Sequence, residues 1–424
     1  MKIAIFSDTH FGFSFGSFTK EDSFLQANEV VEKILEMKDV DAVIIAGDIF
    51  DSDNPDSSTL AKSLRVLRKL TTKDYAAKVE EVEFRNKKDF SAFPNLPVIA
   101  IPATHERKAF GEEDMIEALE IANFVINANN KWIKISKGDE KVNILGLGGI
   151  DDSEFKEFLQ KEREKIEEEA KSREGFKILL LHQSLKELIP FGNDFASLDE
   201  LPNGFDLYVC GHIHKKIEAR VHGKMFLIPG STVLTQQKKE EQDKKGFLVF
   251  DTNIYSYNFI EINSRPFFYI ELNFESASPN DIIEKVKQKI AEVEKISEKP
   301  IIKIKVTGTL KEGFKPKDIQ LSQLQQDEKA LISIDKVLTV KATEIEIEKV
   351  RKLIKEGDIK DIGSKMLNEE LAKTGFKLDG GTMFEILSRK DERKSKEKAK
   401  DENIEEALKF IYEIEKKEIE NKKS

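Results

Sequence analysis

An α/β fold follows from two features of roughly the first 250 residues: short apolar runs recur along them, and segments with apolar residues at helical spacing separate the early runs. The runs are Lys2–Phe6, Ala42–Ala46, Val98–Ile101, Val142–Leu147, Lys177–Leu181, Leu207–Cys210, Met225–Ile228 and Phe247–Phe250. Their shortness and Val/Ile/Leu/Phe content suit buried strands better than helices. Phe24, Ala27, Val31, Ile34 and Leu35 mark one helix, and Leu60, Leu64 and Leu67 mark another. Strand–helix–strand alternation lays helices over a sheet. The later runs follow one another with little helix between them, so that half of the sheet is antiparallel or mixed.

The 424 residues suffice for two or three domains. A boundary near Ser264-Arg265-Pro266 closes a first domain, 1–265. Beyond it, Phe267–Leu272 reads as a strand. Ser278-Pro279-Asn280-Asp281 opens a helix with a capping Ser and a Pro at its first position. Ile283, Val286, Ile290 and Val293 form that helix's buried stripe, and Ile302, Ile304 and Val306 alternate with Lys303 and Lys305 as a half-exposed strand does. Residues 266–345 are thus a small β-α-β domain. Residues 346–424 form a charged helical region, nearly all charge from Ser388 to Lys400. After it, Ile404, Ala407, Leu408, Ile411 and Ile414 make an apolar stripe that needs a cover, either the short helices around Glu344–Thr374 or another protein.

Lys and Arg number 69 against 79 Asp and Glu, a net charge of −10, which disfavours a nucleic-acid binder driven by bulk positive charge but not a local basic groove. The single cysteine, Cys210, can form neither an intrachain disulfide nor a thiolate cage, in keeping with a reducing, cytoplasmic setting. The apolar runs are far shorter than the ~20 residues that span a bilayer, and the N-terminal run is too short for a signal peptide. No membrane association is expected.

The strand ends carry the chemistry. Asp8-Thr9-His10 follows the first run, Gly47-Asp48 the second, Thr104-His105-Glu106 the third, His182 the fifth and Gly211-His212-Ile213-His214 the sixth. Of only six histidines, His10, His105, His182, His212 and His214 each lie one to four residues past a strand; His222, in Val-His-Gly-Lys, reads as a hairpin residue without a role. A lone Asp-x-His is weak, and a post-strand Gly-Asp is often only a turn. Together they are not, because composition gives no reason for scarce histidines to collect at strand ends, where α/β sheets gather their ligands. Imidazoles and carboxylates without thiolates suit Mn, Fe or Zn. Six or more candidate ligands exceed the needs of one ion, so two ions sharing a carboxylate are the simplest answer, and phosphoester hydrolysis is the expected reaction.

In order and spacing, Asp8-x-His10, Gly47-Asp48, His105, His182 and Gly211-His212-x-His214 resemble the calcineurin-like metallophosphoesterases. Gly47-Asp48-Ile49-Phe50-Asp51-Ser52-Asp53-Asn54-Pro55 and Pro229-Gly230-Ser231-Thr232 resemble, within that superfamily, DNA double-strand-break repair nucleases of the meiotic-recombination-eleven / SbcD type. The resemblance implies a two-sheet sandwich flanked by helices, with a small capping domain and C-terminal helices. It implies one metal on Asp8, His10 and His214, and a second on His182 and His212, with Asp48 bridging. His105 would stabilise the transition state or protonate the leaving oxygen. The family's Gly-Asn-His-Asp stands here as Ala103-Thr104-His105-Glu106, so Thr104 replaces a carbonyl ligand with a poorer hydroxyl or a water. Asp51 stands where many members carry His.

The resemblance further implies two Mn²⁺ per chain (Mg²⁺, Fe²⁺ and Zn²⁺ being alternatives), DNA as substrate, a homodimer and a coiled-coil ABC-type ATPase of the Rad-fifty family as partner. Dimer contacts would come from Leu60, Leu64, Met115 and Leu119, and the ATPase contact from Ile404, Leu408, Ile411 and Ile414. Arg107, Lys108, Lys215, Lys216, Lys238, Lys239, Lys244 and Lys245 are candidate phosphate contacts, with Arg107 and Lys215 foremost. Two other readings stand beside the Mn-dependent exo/endonuclease: a small-nucleotide phosphodiesterase on the same fold, and a catalytically weak repair scaffold.

Overall fold

The computed structural model describes residues 1–72, 77–84, 87–89, 96–103, 106, 114–189, 195–325, 329–340, 367–368 and 381–382. The expectations for Thr104, His105, Arg107 and Lys108, and for the C-terminal helical stripe, lie outside the described residues.

Two sheets stack face to face. The six-stranded sheet runs, edge to edge, Ser256–Glu261, Gly246–Asp251, Lys2–Phe6, Ala42–Ile45, Val98–Ala100, Ile126–Asn127. The eight-stranded sheet runs Ile217–Val221, Lys224–Ile228, Leu207–Cys210, Phe176–Leu181, Glu140–Leu147, Trp132–Lys137, Lys78–Phe84, Lys87–Asp89. All eight expected runs are strands. Central pairings are parallel, with Ile3 opposite Ala42 and Leu207 opposite Ile178. The flanks are antiparallel, as where Lys2 faces Asp251 and Trp132 faces Leu145. The sheets are therefore mixed, as the spacing of the later runs implied.

Three apolar layers hold this arrangement. Alternate residues of the strands meet between the sheets, where Ile3, Ile5, Ile44, Ile99, Ile144, Ile178, Leu207 and Leu227 are buried. Phe24, Val31, Ile34, Leu67 and Leu70, from helices Asp22–Glu36 and Ser57–Leu70, cover the outer face of the six-stranded sheet. Phe155, Leu159, Ile166 and Ala170, on helix Asp152–Lys171, cover the outer face of the other. Helix Ser57–Leu70 starts on a side-chain cap, Asp56 Oδ1 accepting from Thr59 N at 2.7 Å. Leu119 is buried in the first of these outer layers, so it is not available to a dimer surface; Leu60, Leu64 and Met115 pack against the same layer and stay partly exposed.

The chain groups into two compact units. One comprises Met1–Glu271, Lys287–Lys305 and Ser322–Asp335, and the other Leu272–Val286, Val306–Leu321 and the described residues from Lys336 onward. A third sheet orders Phe267–Ala277, Ile301–Leu310 and Leu331–Val340, with helix Pro279–Glu294 following its first strand. Ile282, rather than Ile283, joins Val286, Ile290 and Val293 in that helix's buried stripe. The adjacent isoleucines made the two phases equal in the sequence, and the i, i+4 step from Val286 selects Ile282.

Ile44 lies fully buried between the sheets. Ile44→Ala should lower the unfolding free energy by about 2–5 kcal/mol, read as a lower urea midpoint. A loss no larger than about 0.5 kcal/mol, the size typical of surface sites, would contradict this packing.

Candidate metal centre

The strands of both sheets deliver ionisable side chains to one place. Asp8 and His10 follow strand Lys2–Phe6, Asp48 follows Ala42–Ile45, His182 follows Phe176–Leu181, and His212 and His214 follow Leu207–Cys210. Backbone bonds lace the loops together: Asp8 N donates to Gly47 O at 3.0 Å, His10 N to Asp48 O at 3.0 Å, Phe11 N to Ile49 O at 2.8 Å and Gly211 N to Leu181 O at 3.0 Å. His212 N is 3.2 Å from each carboxylate oxygen of Asp8.

These loops are held in costly conformations. Asp8, His10, Asp48 and His212 all have left-handed backbone, with φ of 54°, 41°, 48° and 76°. Such a φ in residues other than glycine costs of order 1–3 kcal/mol and persists only where the surroundings enforce it. Two glycines make room for the His182 ring. A Cβ on Gly47 would stand 2.5 Å from His182 Nδ1, and one on Gly211 would stand 2.6 Å from that atom and 2.1 Å from Ala46 O.

The result is two triads. Ligand atoms of Asp8, His10 and His214 lie within 4.8 Å of one another, as do those of Asp48, His182 and His212. His10 Nε2 and His214 Nε2 face each other at 3.2 Å, with Asp8 Oδ1 at 3.5 Å from the latter. Asp48 reaches both groups, its Oδ2 being 3.2 Å from His182 Nε2 and 3.8 Å from His10 Nε2. His182 is the clearest test of what fits between them. Its Nδ1 lies 2.7 Å from Ala46 O, so it donates there, and in the neutral ring Nε2 would present a lone pair to the Asp48 oxygen. That buried Nε2 has no partner in hydrogen-bond geometry. A lone pair aimed at a carboxylate oxygen is repulsive unless a proton or a metal cation lies between them, so these residues fit divalent metal ions.

Titration follows the same logic. Burial opposes the His182 cation, but Asp48 and Asp8 outweigh it and push the ring up to about 10. Burial likewise opposes the His214 cation, yet hydrogen bonds to Asp8 and Glu241 push it up to about 9. Burial would raise Asp8, but His214 and His182 hold it below the ordinary range. Partial burial, and then the charge of His182 beside it, move His212 down. Buried Cys210, pushed up to about 12, is an inert packing thiol.

Carboxylates also stand near three of the ring nitrogens. Asp51 Oδ1 lies 3.4 Å from His10 Nδ1, and Glu241 Oε1 lies 3.2 Å from His214 Nδ1. Asp152 Oδ2 lies 3.9 Å from His212 Nε2. Sequence reasoning passed over Glu241, which lies in a run of charged residues, and Asp152, which stands beyond Val142–Leu147 at the start of helix Asp152–Lys171. It also gave Glu106 no part. That fully buried carboxyl accepts from Phe50 N at 2.9 Å and Ala103 N at 3.1 Å, joining the second and third strand-end loops. Burial and then the Asp48 charge push it up to about 8.

A cleft of about 500 Å³ opens beside His212 and His214, lined also by Leu188, Ile213, Lys215 and Lys238. Lys215 is half-exposed, 3.7 Å from Asp243. Lys245, grouped with it in the sequence, is instead buried and unavailable to a phosphate. His222 stands apart, in the two-residue turn between Ile217–Val221 and Lys224–Ile228, with Nε2 2.7 Å from Leu201 O.

Residues 1–216 match the family model of the calcineurin-like phosphoesterases. The DNA double-strand break repair protein Mre11 of Sulfolobus acidocaldarius is 26% identical over 341 residues, covering 77% of this chain and 79% of that protein. Its namesake in Methanocaldococcus jannaschii is 28% identical over 296 residues, covering 68% and 69%. The double-strand break repair protein MRE11 of Arabidopsis thaliana is 27% identical over 361 residues, covering 72% of this chain and 50% of that protein. Among the described residues, no helix is long and apolar enough to cross a membrane.

Gly211→Ala would drive a methyl group into Ala46 O and the His182 ring. It should cost about 1–3 kcal/mol of stability in chelator, as overpacking does, and also reduce divalent-metal uptake. Full stability with undiminished uptake in a Gly211→Ala titration would show that the His182 cradle is loose.

Proposed function

The chain belongs to the calcineurin-like phosphoesterase family, and on that premise we propose that it is a two-metal DNA nuclease acting in double-strand-break repair. The observation that carries the proposal is the pair of carboxylate–imidazole triads with Asp48 in reach of both. In this reading Asp8, His10 and His214 hold the first ion, and His182 and His212 the second, with Asp48 between. Thr104 completes the second site weakly or through a water. Bound ions at these positions would supply positive charge to a phosphoryl oxygen and make a water acidic enough to attack near neutral pH.

The chain's own residues do the rest. His182 stays a lone-pair donor because Ala46 O holds its Nδ1 proton. His105, an imidazole that can carry a proton near pH 7, protonates the leaving oxygen. Mn²⁺ suits the imidazole–carboxylate set better than a metal that prefers thiolate or an all-oxygen cage.

DNA is proposed as the substrate from the names of the archaeal and plant relatives. With a net charge of −10, binding depends on local donors, Lys215 and Arg107 first, and weakens steeply with salt. We take the working unit to be a homodimer through helices Ser57–Leu70 and Met115–Ile121, partnered by a coiled-coil ABC-type ATPase of the Rad-fifty family. Ile404, Leu408, Ile411 and Ile414 supply the ATPase contact. The cleft volume also admits a mononucleotide, so the deciding assay offers cyclic nucleotides beside DNA.

With Mn²⁺, the protein should cut end-labelled duplex or single-stranded DNA, alone or with the ATPase and ATP. His105→Ala should slow cleavage by about 10²–10⁴-fold while leaving Mn²⁺ uptake intact. Turnover of cyclic nucleotides without DNA cleavage would establish the phosphodiesterase alternative. Calorimetric Mn²⁺ titration should resolve one tight and one weaker site, and Thr104→Asn should tighten the weaker. Two equally tight sites in the unaltered protein would contradict the role given to Thr104.

A further inference from the structure

Behind His214 lies a charged pair that neither the ions nor a DNA surface would use. Glu241 and Lys245 are only 7% and 5% exposed. Lys245 Nζ donates to Glu241 Oε2 at 2.6 Å, to Ser231 Oγ at 2.8 Å and to the backbone oxygen of His214 at 3.2 Å. Its three protons are thereby committed. The other carboxylate oxygen, Glu241 Oε1, lies 3.2 Å from His214 Nδ1, and Thr235 Oγ1 lies 2.6 Å from the same nitrogen. The carboxylate is thus strung between an ammonium and an imidazole. A buried ion pair is seldom a net source of stability, since apolar side chains of similar volume serve as well. What the pair does supply is direction. With Nδ1 engaged by Glu241, Nε2 is the nitrogen left to a metal, and Nε2 is the atom turned toward Asp8 and His10.

We infer that Glu241, anchored by Lys245, is the positioning residue for His214 in the first metal site. The inference rests on the two-ion reading above. It depends on a count of acceptors. The Glu241 side chain needs an acceptor at each end, one for Lys245 and one for the His214 N–H. Glutamine has a single acceptor, so E241Q must turn its amide N–H₂ against either the ammonium or the imidazole N–H. In E241Q/K245M the ammonium is gone, and the amide oxygen is free to face His214.

The test is Mn²⁺ titration of the metal-stripped full-length protein, with free Mn²⁺ read by electron paramagnetic resonance and apo-protein thermal unfolding recorded beside it. The parent should take up two ions. E241Q should weaken one of the two sites by about ten- to a hundredfold, and H212A, which removes a ligand of the other triad, should weaken the other. E241Q/K245M should regain the lost affinity, a rescue that a merely loosened fold would not show. Should E241Q fail to fold, the double variant carries the test: two sites of parental affinity uphold the acceptor count, and loss of one overturns it. A parent that holds one ion or none overturns the two-ion reading and this inference with it. A parent with two ions and an E241Q with the same two affinities overturns this inference alone.

Discussion

Six ionisable side chains, two carboxylates and four imidazoles, are packed into two triads whose ligand atoms lie within 4.8 Å of one another. Asp8 takes the His212 N–H, 3.2 Å from each of its oxygens, Asp48 Oδ2 stands 3.2 Å from His182 Nε2, and both carboxylates are buried. In such a setting an unpaired charge or lone pair costs several kcal/mol. The metal-free protein answers by drawing protons onto His182 and His214, up to about 10 and 9. Divalent cations answer the same demand with more charge.

The rest of the architecture is organised around holding that demand in place. The centre draws on strand ends from both sheets, Asp8, His10 and Asp48 from one and His182, His212 and His214 from the other. Neither sheet alone could assemble it. The apolar layer between the sheets fixes their spacing, and the loops above it absorb strain in four left-handed non-glycine residues. Acceptors behind two of the rings, Ala46 O at His182 and Glu241 at His214, then set which nitrogen looks inward.

Much of this was legible in the sequence. Buried parallel strands read as unbroken apolar runs, so the strands that deliver the ligands were all visible, and scarce histidines at their ends marked the centre. The regular alternation of Ile302, Ile304 and Val306 with lysines was visible as a strand, but Trp132–Lys137, Ile217–Val221 and Ser256–Glu261, which mix charged and polar residues with apolar ones, were not. Helix Asp152–Lys171 escaped notice for a similar reason, its four buried residues being spread among Glu and Lys. Glu241 and Lys245 sit in Lys-Lys-Glu-Glu-Gln-Asp-Lys-Lys, which reads as solvated surface. Only packing against Ser231 and His214 shows that two members of that run are interior. A pattern of residue types reports strand and helix faces, but not which charge in a polar run the fold will bury.

The central claim is that the two triads hold two ions with Asp48 between them. Anomalous diffraction at the manganese edge, on crystals of the Mn²⁺-loaded protein, addresses it directly. The account predicts two anomalous peaks per chain about 3.5–4 Å apart, one bounded by Asp8, His10 and His214 and the other by Asp48, His182 and His212. A single peak, or peaks outside these triads, would contradict it.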